Sequence, residues 1–118
     1  MAETIVLTIP AERRFREVAS LVLGGVGTRF DLPYERTDDV QLAVFSMLEA
    51  AAAEEATVEM AADGDLLSIS VGPLRPDAPA DEGLRRVLRP LADSYELQDR
   101  DGQCWATMVV ERTGRSPA

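Results

Sequence analysis

The sequence predicts a two-layer α+β sandwich, a sheet covered on one face by helices. Strand-like and helix-like periodicities follow one another in the order β-α-α-β-β-α-β-β. Four of the five strands come as hairpins around an Asp-Gly pair, so the helices are expected to share one face. A chain of 118 residues, 46% hydrophobic and 28% charged, suits a single soluble domain. We assign residues 1–112 to that domain and 113–118 to a disordered tail.

The first three elements follow from side-chain spacing. Residues 3–10 alternate and are β-branched, which predicts a strand that Pro10 closes. A helix is expected from Ala11, with a core stripe of Phe15, Val18, Ala19 and Val22. The glycines of 24–27 follow this helix and not a strand, so they indicate a close helix crossing or a frayed end rather than a phosphate loop.

A second helix is predicted over residues 39–55, with Pro33 in its first turn. Its core stripe is expected to be Val40, Val44, Met47, Leu48 and Ala51. Another face carries only small side chains, namely Ala43, Ser46, Ala50 and Ala53. Such a face either packs tightly or is the remnant of a binding site.

The C-terminal half is predicted as hairpin, loop, helix and hairpin. The first hairpin, 57–71, is expected to turn at Asp63-Gly64 in a type I′ turn. A proline-rich loop precedes a helix over 83–95, which Pro90 must kink or interrupt. The second hairpin is expected to turn at Asp101-Gly102.

Composition excludes several classes of function. The net charge of −9 is spread along the chain, which argues against nucleic acid and anionic membrane as partners and permits a basic protein. The absence of His excludes His-based triads and His zinc sites. No apolar run approaches the ~20 residues of a membrane span, and no export signal opens the chain. With a single cysteine, Cys104, a cytoplasmic location is expected.

Two long segments resemble a known family, the serine-protein-kinase anti-sigma factors of bacteria, which belong to the GHKL (histidine-kinase-type) ATPase superfamily. The N-terminal segment has a strand ending in "IPA", a first helix, a short link and a helix opening with "DVQLAV". The C-terminal segment, "GLRRVLRPLADSYELQDRDGQCWATMVVER", resembles the family's last helix and closing hairpin. The resemblance implies a mixed sheet covered on one face by three helices.

The family's nucleotide chemistry is missing at the matching positions. Its general-base Glu and its magnesium-holding Asn, four residues apart on the second helix, fall on Ser46 and Ala50. Its adenine-binding Asp-x-Gly falls on Gly72 and Leu74, and of its Gly-rich turn only Gly83 remains. Losing two charge-assisted hydrogen bonds costs roughly 3–6 kcal/mol of binding free energy.

We therefore expect no catalytic residue, no cofactor and no metal site, and a non-catalytic regulator that binds a protein. The resemblance implies a sigma factor or an anti-sigma antagonist as partner, and a possible homodimer. The partner surface is expected on the first helix and its link, at Arg13, Arg16, Arg29 and Asp31. One alternative is a divergent ATP- and magnesium-dependent serine-protein kinase with Glu49 as displaced base. Another is a structural subunit of a larger complex.

Three further expectations concern single features. Loop 73–79, led by Leu74, is expected to fold onto the second helix and leave a small pocket or none; a cavity of ~300 Å³ or more would contradict this. Trp105 is expected in the core, with a partner anchor as the alternative. Arg85, Arg86 and Arg89 form a basic turn that either binds an acidic partner or is solvated.

Overall fold

A computed structural model gives the structure of residues 3–112, so the predicted tail, 113–118, lies outside the described residues. The elements follow in the predicted order. They are β1 (Glu3–Pro10), α1 (Arg16–Arg29), α2 (Tyr34–Glu49), β2 (Glu55–Asp63), β3 (Leu66–Leu74), α3 (Glu82–Leu91), β4 (Ser94–Arg100) and β5 (Gln103–Glu111). Short 3₁₀ turns precede α1 at Arg13–Phe15 and α3 at Ala78–Ala80.

The sheet has the strand order β1-β2-β3-β5-β4, and every pair of neighbours among the described strands is antiparallel. The expected mixed sheet is therefore wrong. The two helices between β1 and β2 run antiparallel and return the chain to the end of the sheet where β1 finished. The single helix α3 makes β4 run parallel to β3, but β5 lies between them.

The core lies between the helices and one face of the sheet, here called the inner face. Alternate strand residues, such as Val58, Ile69 and Met108, are fully buried against the helices. The opposite, outer face carries mainly polar and charged side chains; there the hydroxyls of Ser70 and Thr107 are 2.8 Å apart and hydrogen-bonded. The two-layer α+β sandwich is thus the observed architecture.

Helix α1 is rotated relative to its predicted orientation. Its buried residues are Ala19, Leu23 and Val26, followed by Phe30 at the C-cap, whereas Val18 and Val22 are 55% and 39% exposed. The centre of the buried set lies about 60° around the helix from that of the predicted stripe. Ala19 belongs to both sets, and Phe15 is partly buried against the core as predicted. Both sets have helical spacing, and the contact of α1 with α2 determines which of them faces the core.

That contact is close because α1 presents glycines to α2, as the helix-crossing interpretation of 24–27 predicted. A Cβ on Gly27 would lie 2.7 Å from the Thr37 Oγ1, and one on Gly24 would lie 3.4 Å from the Gln41 Nε2. The Gln41 amide also donates to the Ser20 carbonyl across a 2.7 Å distance. The absence of side chains at the glycines therefore permits the two helices to approach.

Helix α1 ends in a Schellman motif. The Leu32 amide donates to the Gly27 carbonyl at 2.9 Å, and the Asp31 amide donates to the Thr28 carbonyl at 3.1 Å. Asp31 adopts the left-handed conformation that this motif requires, with φ of 56°. Asp tolerates this region better than most residues, so Asp31 has a structural role in the α1–α2 link.

Helix α2 begins after Pro33, its N-cap, and ends at Glu49, so the predicted extension to residue 55 is wrong. Ala51 forms an isolated antiparallel bridge with Leu74. The Ala52 amide donates to the Pro73 carbonyl at 3.0 Å, and the Arg75 amide donates to the Ala50 carbonyl at 2.8 Å. Pairing with the end of β3 thus overrides the helix propensity of the alanine run.

Two turn details differ from the sequence analysis. The first hairpin turns at Gly64-Asp65, one residue later than predicted, and of these two only Gly64 has positive φ. That is the pattern of a type II′ turn, not type I′. The second hairpin turns as predicted, with positive φ at both Asp101 and Gly102.

Helix α3 ends at Leu91, with Pro90 in its last turn, where little of the helix remains to be disrupted.

The close helix contact predicts opposite effects for two neighbouring glycines. Gly27→Ala should lower the free energy of unfolding by about 1–3 kcal/mol, because the new methyl group overlaps Thr37. Gly25→Ala should raise it by about 0.5–1 kcal/mol, because its Cβ would have no described heavy atom within 4 Å and alanine favours a helix. Urea unfolding of both variants measures this, and equal effects would contradict the close approach.

Candidate functional site

Three of the five degenerate positions meet in one groove between α2 and α3. The groove has a volume of about 330 Å³ and its lining includes Ser46, Ala50 and Gly83. Glu49, Arg75, Asp81, Leu84 and Val87 complete that lining. The remaining two positions, Gly72 and Leu74, are not part of it. The spacing of four on α2 therefore locates the groove correctly, whereas the strand positions do not belong to it.

The side chains from α2 leave the groove without an activated nucleophile. The Ser46 hydroxyl donates to the Leu42 carbonyl at 3.1 Å, within its own helix. The predicted small-residue face is divided among three environments. Ser46 and Ala50 line the groove, Ala43 is completely buried in the core, and Ala53 lies in the segment after the helix. Glu49, the proposed displaced base, does line the groove beside Ser46.

Residues 75–81 form a loop on the other side of the groove, and two arginines make contacts that hold this loop. The Arg75 guanidinium contacts two carboxylates, Asp77 at 3.3 Å and Asp81 at 3.4 Å. The Arg85 Nε donates to the Pro79 carbonyl at 2.8 Å. Arg85 therefore holds this loop from α3, a role that neither predicted alternative included.

A carboxylate occupies the N-terminus of α3. Asp81 is the N-cap residue, and its Oδ1 accepts a hydrogen bond from the Leu84 amide at 3.1 Å. Free amides at a helix N-terminus attract anions such as phosphate. Here the protein's own carboxylate takes that position, and Arg75 pairs with its second oxygen.

The expected closure of the groove is wrong, since its volume exceeds the ~300 Å³ set as the limit. Loop 73–79 does bond to the end of α2, through the Arg75 amide and the Ala50 carbonyl. Leu74, however, is buried in the core and bridged to Ala51, so it cannot turn into the groove.

Gly72 serves a different purpose, on the outer face of the sheet. A Cβ there would lie 2.3 Å from the Cδ2 of Trp105, so the indole lies directly across this glycine. The Arg100 guanidinium stacks on the indole 4.3 Å from the ring centroid, and its Nη1 lies 2.9 Å from Glu59 Oε1. Trp105 is half-buried on this face, so the expected core position is wrong.

The predicted partner residues do not form one cluster. Arg13 is exposed before α1, whereas Arg29 and Asp31 are exposed at its far end. Fourteen residues of helix separate the two ends, about 21 Å. The side chain of Arg16 lies outside the described residues.

Sequence reasoning missed the apolar side chains between those two ends. Leu21 is 78% exposed, with Val18, Val22 and the exposed Gly25 on the same side of α1. We call these four residues the α1 patch. Their spacing of three and four was visible in the sequence, but Val18 and Val22 were assigned to the core.

No protein-family model matches the chain, and no match is found among proteins of curated function. In residues 3–112, no helix is long and apolar enough to cross a membrane. The same residues contain no group of three or more His, Cys, Asp or Glu side chains placed to hold a metal ion.

The N-cap role of Asp81 can be separated from its charge. Asp81→Ala should lower the free energy of unfolding by about 0.5–2 kcal/mol, because the Leu84 amide loses its acceptor. Asp81→Ser should retain most of that stability, since serine caps helices without a carboxylate. Thermal unfolding of both variants is the measurement, and an equal loss in the two would assign the effect to the ion pair with Arg75.

Proposed function

We propose that this protein is a non-catalytic regulator that acts by binding another protein, in the manner of an anti-sigma factor without a nucleotide switch. The observation that carries the proposal is the α1 patch. Valine and leucine side chains at spacings of three and four form an exposed apolar strip on one helix. Contiguous exposed apolar surface on a soluble domain is typical of an interaction site.

The surroundings of the α1 patch favour a protein rather than a small molecule. A shallow groove of about 400 Å³ between α1 and α2 borders it, lined by Leu21, Gly24, Gln41 and Phe45, with Glu17 and Ser20 at its edge. Burying a Leu or Val side chain fully contributes about 1.5–3 kcal/mol, so a few such residues supply the central contacts of an interface.

Charge constrains the partner's chemistry. The chain carries a net charge of −9, which favours a partner with a basic or mixed surface. Arg13 lies before the α1 patch, and Arg29 and Asp31 lie beyond it, so opposite charges on a partner would orient the complex. The resemblance to anti-sigma factors makes a sigma factor or an anti-sigma antagonist the leading partner, with a second copy of this chain as the other.

The groove between α2 and α3 supports the non-catalytic part of the proposal. Among its described lining residues Arg75 is the one basic side chain, and it is already paired with Asp77 and Asp81. Asp81 also takes the N-terminus of α3, so the described lining offers the phosphates of a nucleotide neither an unpaired basic group nor a free helix N-terminus, although carboxylates such as Glu49 are ligands that Mg²⁺ accepts. The presence of Glu49 beside Ser46 is what favours the kinase alternative.

Nucleotide binding distinguishes the non-catalytic regulator from the serine-protein kinase. ATP or ADP with magnesium, at millimolar concentration, should leave the melting temperature unchanged. A ligand raises the free energy of unfolding by RT ln(1 + [L]/Kd), which is close to zero when its concentration is far below Kd. Thermal unfolding followed by circular dichroism measures this. A saturable upward shift with either nucleotide would contradict the proposal and favour the kinase.

Partner binding should depend on the α1 patch. Leu21→Glu should weaken binding to a purified sigma factor, or self-association in sedimentation, by at least about tenfold, because a charge enters the apolar contact. Leu66→Glu is the matched control, since Leu66 is also exposed, at 48%, but lies at the start of β3, away from α1. Both variants should keep a near-native melting temperature.

The same titrations test the groove as a binding site. Ser46→Ala should leave affinity unchanged, and Arg13→Glu should change mainly the association rate. Loss of binding in Ser46→Ala together with native affinity in Leu21→Glu would mean that the groove, not the helix surface, receives the partner.

A further inference from the structure

A second and larger cavity lies beside the groove, on the other side of the contact between α2 and β3. This cleft has a volume of about 510 Å³. Its walls are the segment after α2, the end of β3 with the loop that follows, and the β4–β5 hairpin. The lining consists of Ala52, Ala53, Pro73, Leu74, Pro76, Pro79, Leu97, Gln98, Asp99, Gly102, Gln103 and Cys104. The size is that of an ordinary small-molecule site.

Most of this lining is apolar. Leu97 and the prolines present hydrocarbon surface, with the buried Leu74 behind them, and the proline rings fix the local backbone. The polar side chains on the inner side of the hairpin are the solvent-exposed carboxylate of Asp99 and, directly across from it, the thiol of Cys104. An apolar wall with a few polar groups at one end is the usual form of a ligand pocket.

The charge of the cleft is negative. Among its described lining residues Asp99 is charged and none is basic. Arg100, the next residue, stacks on Trp105 across the sheet and pairs with Glu59, so it does not neutralise Asp99. Burial, and then the negative charge of Asp99, raise the pKa of the Cys104 thiol in the cleft. A second negative charge is therefore disfavoured there.

We propose that this cleft binds a small organic cation, with its apolar body against Leu97 and the prolines and its positive group beside Asp99. The proposal is independent of the protein-binding function, because it uses neither the α1 patch nor the groove. Charge complementarity with Asp99 selects the cation, and the apolar walls select an aliphatic or aromatic body.

Cys104 provides the readout, because it is the chain's single cysteine and lines the cleft. The rate of its alkylation by iodoacetamide, a neutral reagent, is measured at low salt with three probes of similar shape. These are benzyltrimethylammonium, benzyl alcohol and benzoate. Bound cation offsets the charge of Asp99 and so favours the reactive thiolate, but it also covers the sulfur. At a concentration about twice its Kd, it should therefore slow alkylation by up to about threefold. Benzoate should have no effect, and benzyl alcohol should act only at higher concentration.

Asp99→Asn removes the charge and retains the shape, so it should abolish the preference for the cation over benzyl alcohol. Asp101→Asn is the matched control, since it makes the same charge change at the hairpin turn, outside the cleft lining. Protection is compared within each variant, because Asp99→Asn also changes the reactivity of the thiol. Amide NMR shifts of Ala52 and Gln103 on titration with the cation give a second readout.

The proposal is supported if the native chain and Asp101→Asn prefer the cation over benzyl alcohol and Asp99→Asn does not. Protection by none of the three probes, equal protection by cation and anion, or equal behaviour of the two Asn variants would overturn it. If Asp99→Asn fails to fold, native-chain shifts of both amides with the cation and not with benzoate support the proposal. The absence of those shifts overturns it.

Discussion

The contact between the end of α2 and the end of β3 determines the shape of the half of the molecule that contains the groove and the cleft. It consists of the Ala51–Leu74 bridge and two backbone hydrogen bonds, from Ala52 to Pro73 and from Arg75 to Ala50. These bonds satisfy carbonyl and amide groups that a longer helix would have paired internally. Residues of this contact line both cavities, with Ala50 and Arg75 in the groove and Ala52, Pro73 and Leu74 in the cleft.

The fold was predictable wherever one periodicity prevailed. Hairpin signals and alternating strands determine the two-layer sandwich, and the Asp101-Gly102 turn lies where its sequence indicates. The end of α2 was not predictable, because alanine favours a helix and only the pairing with β3 interrupts it. The rotation of α1 was also hidden, since two sets of apolar residues have helical spacing and the glycine contact with α2 selects between them.

The candidate site was predictable only in part, for a related reason. Ser46 and Ala50 are one helical turn apart, so their proximity follows from α2 alone. The pairing of Arg75 with Asp81 depends on how loop 75–81 folds, which no local rule determines. Trp105 is a different case, because the alternation through Ala106, Met108 and Val110 already implied that it faces away from the helices.

The absence of lysine is consistent with how the arginines are used. Three of them each join two partners through a planar guanidinium, whose fixed fork a lysine cannot reproduce. The pairs are Asp39 and Asp93 for Arg36, Asp77 and Asp81 for Arg75, and the carbonyls of Phe30 and Gly64 for Arg112. Two of these arginines are each shared by two carboxylates, so one negative charge remains in each cluster. The excess of carboxylates over arginines, which gives the net charge of −9, favours both a basic or mixed-charge protein partner and a cation beside Asp99.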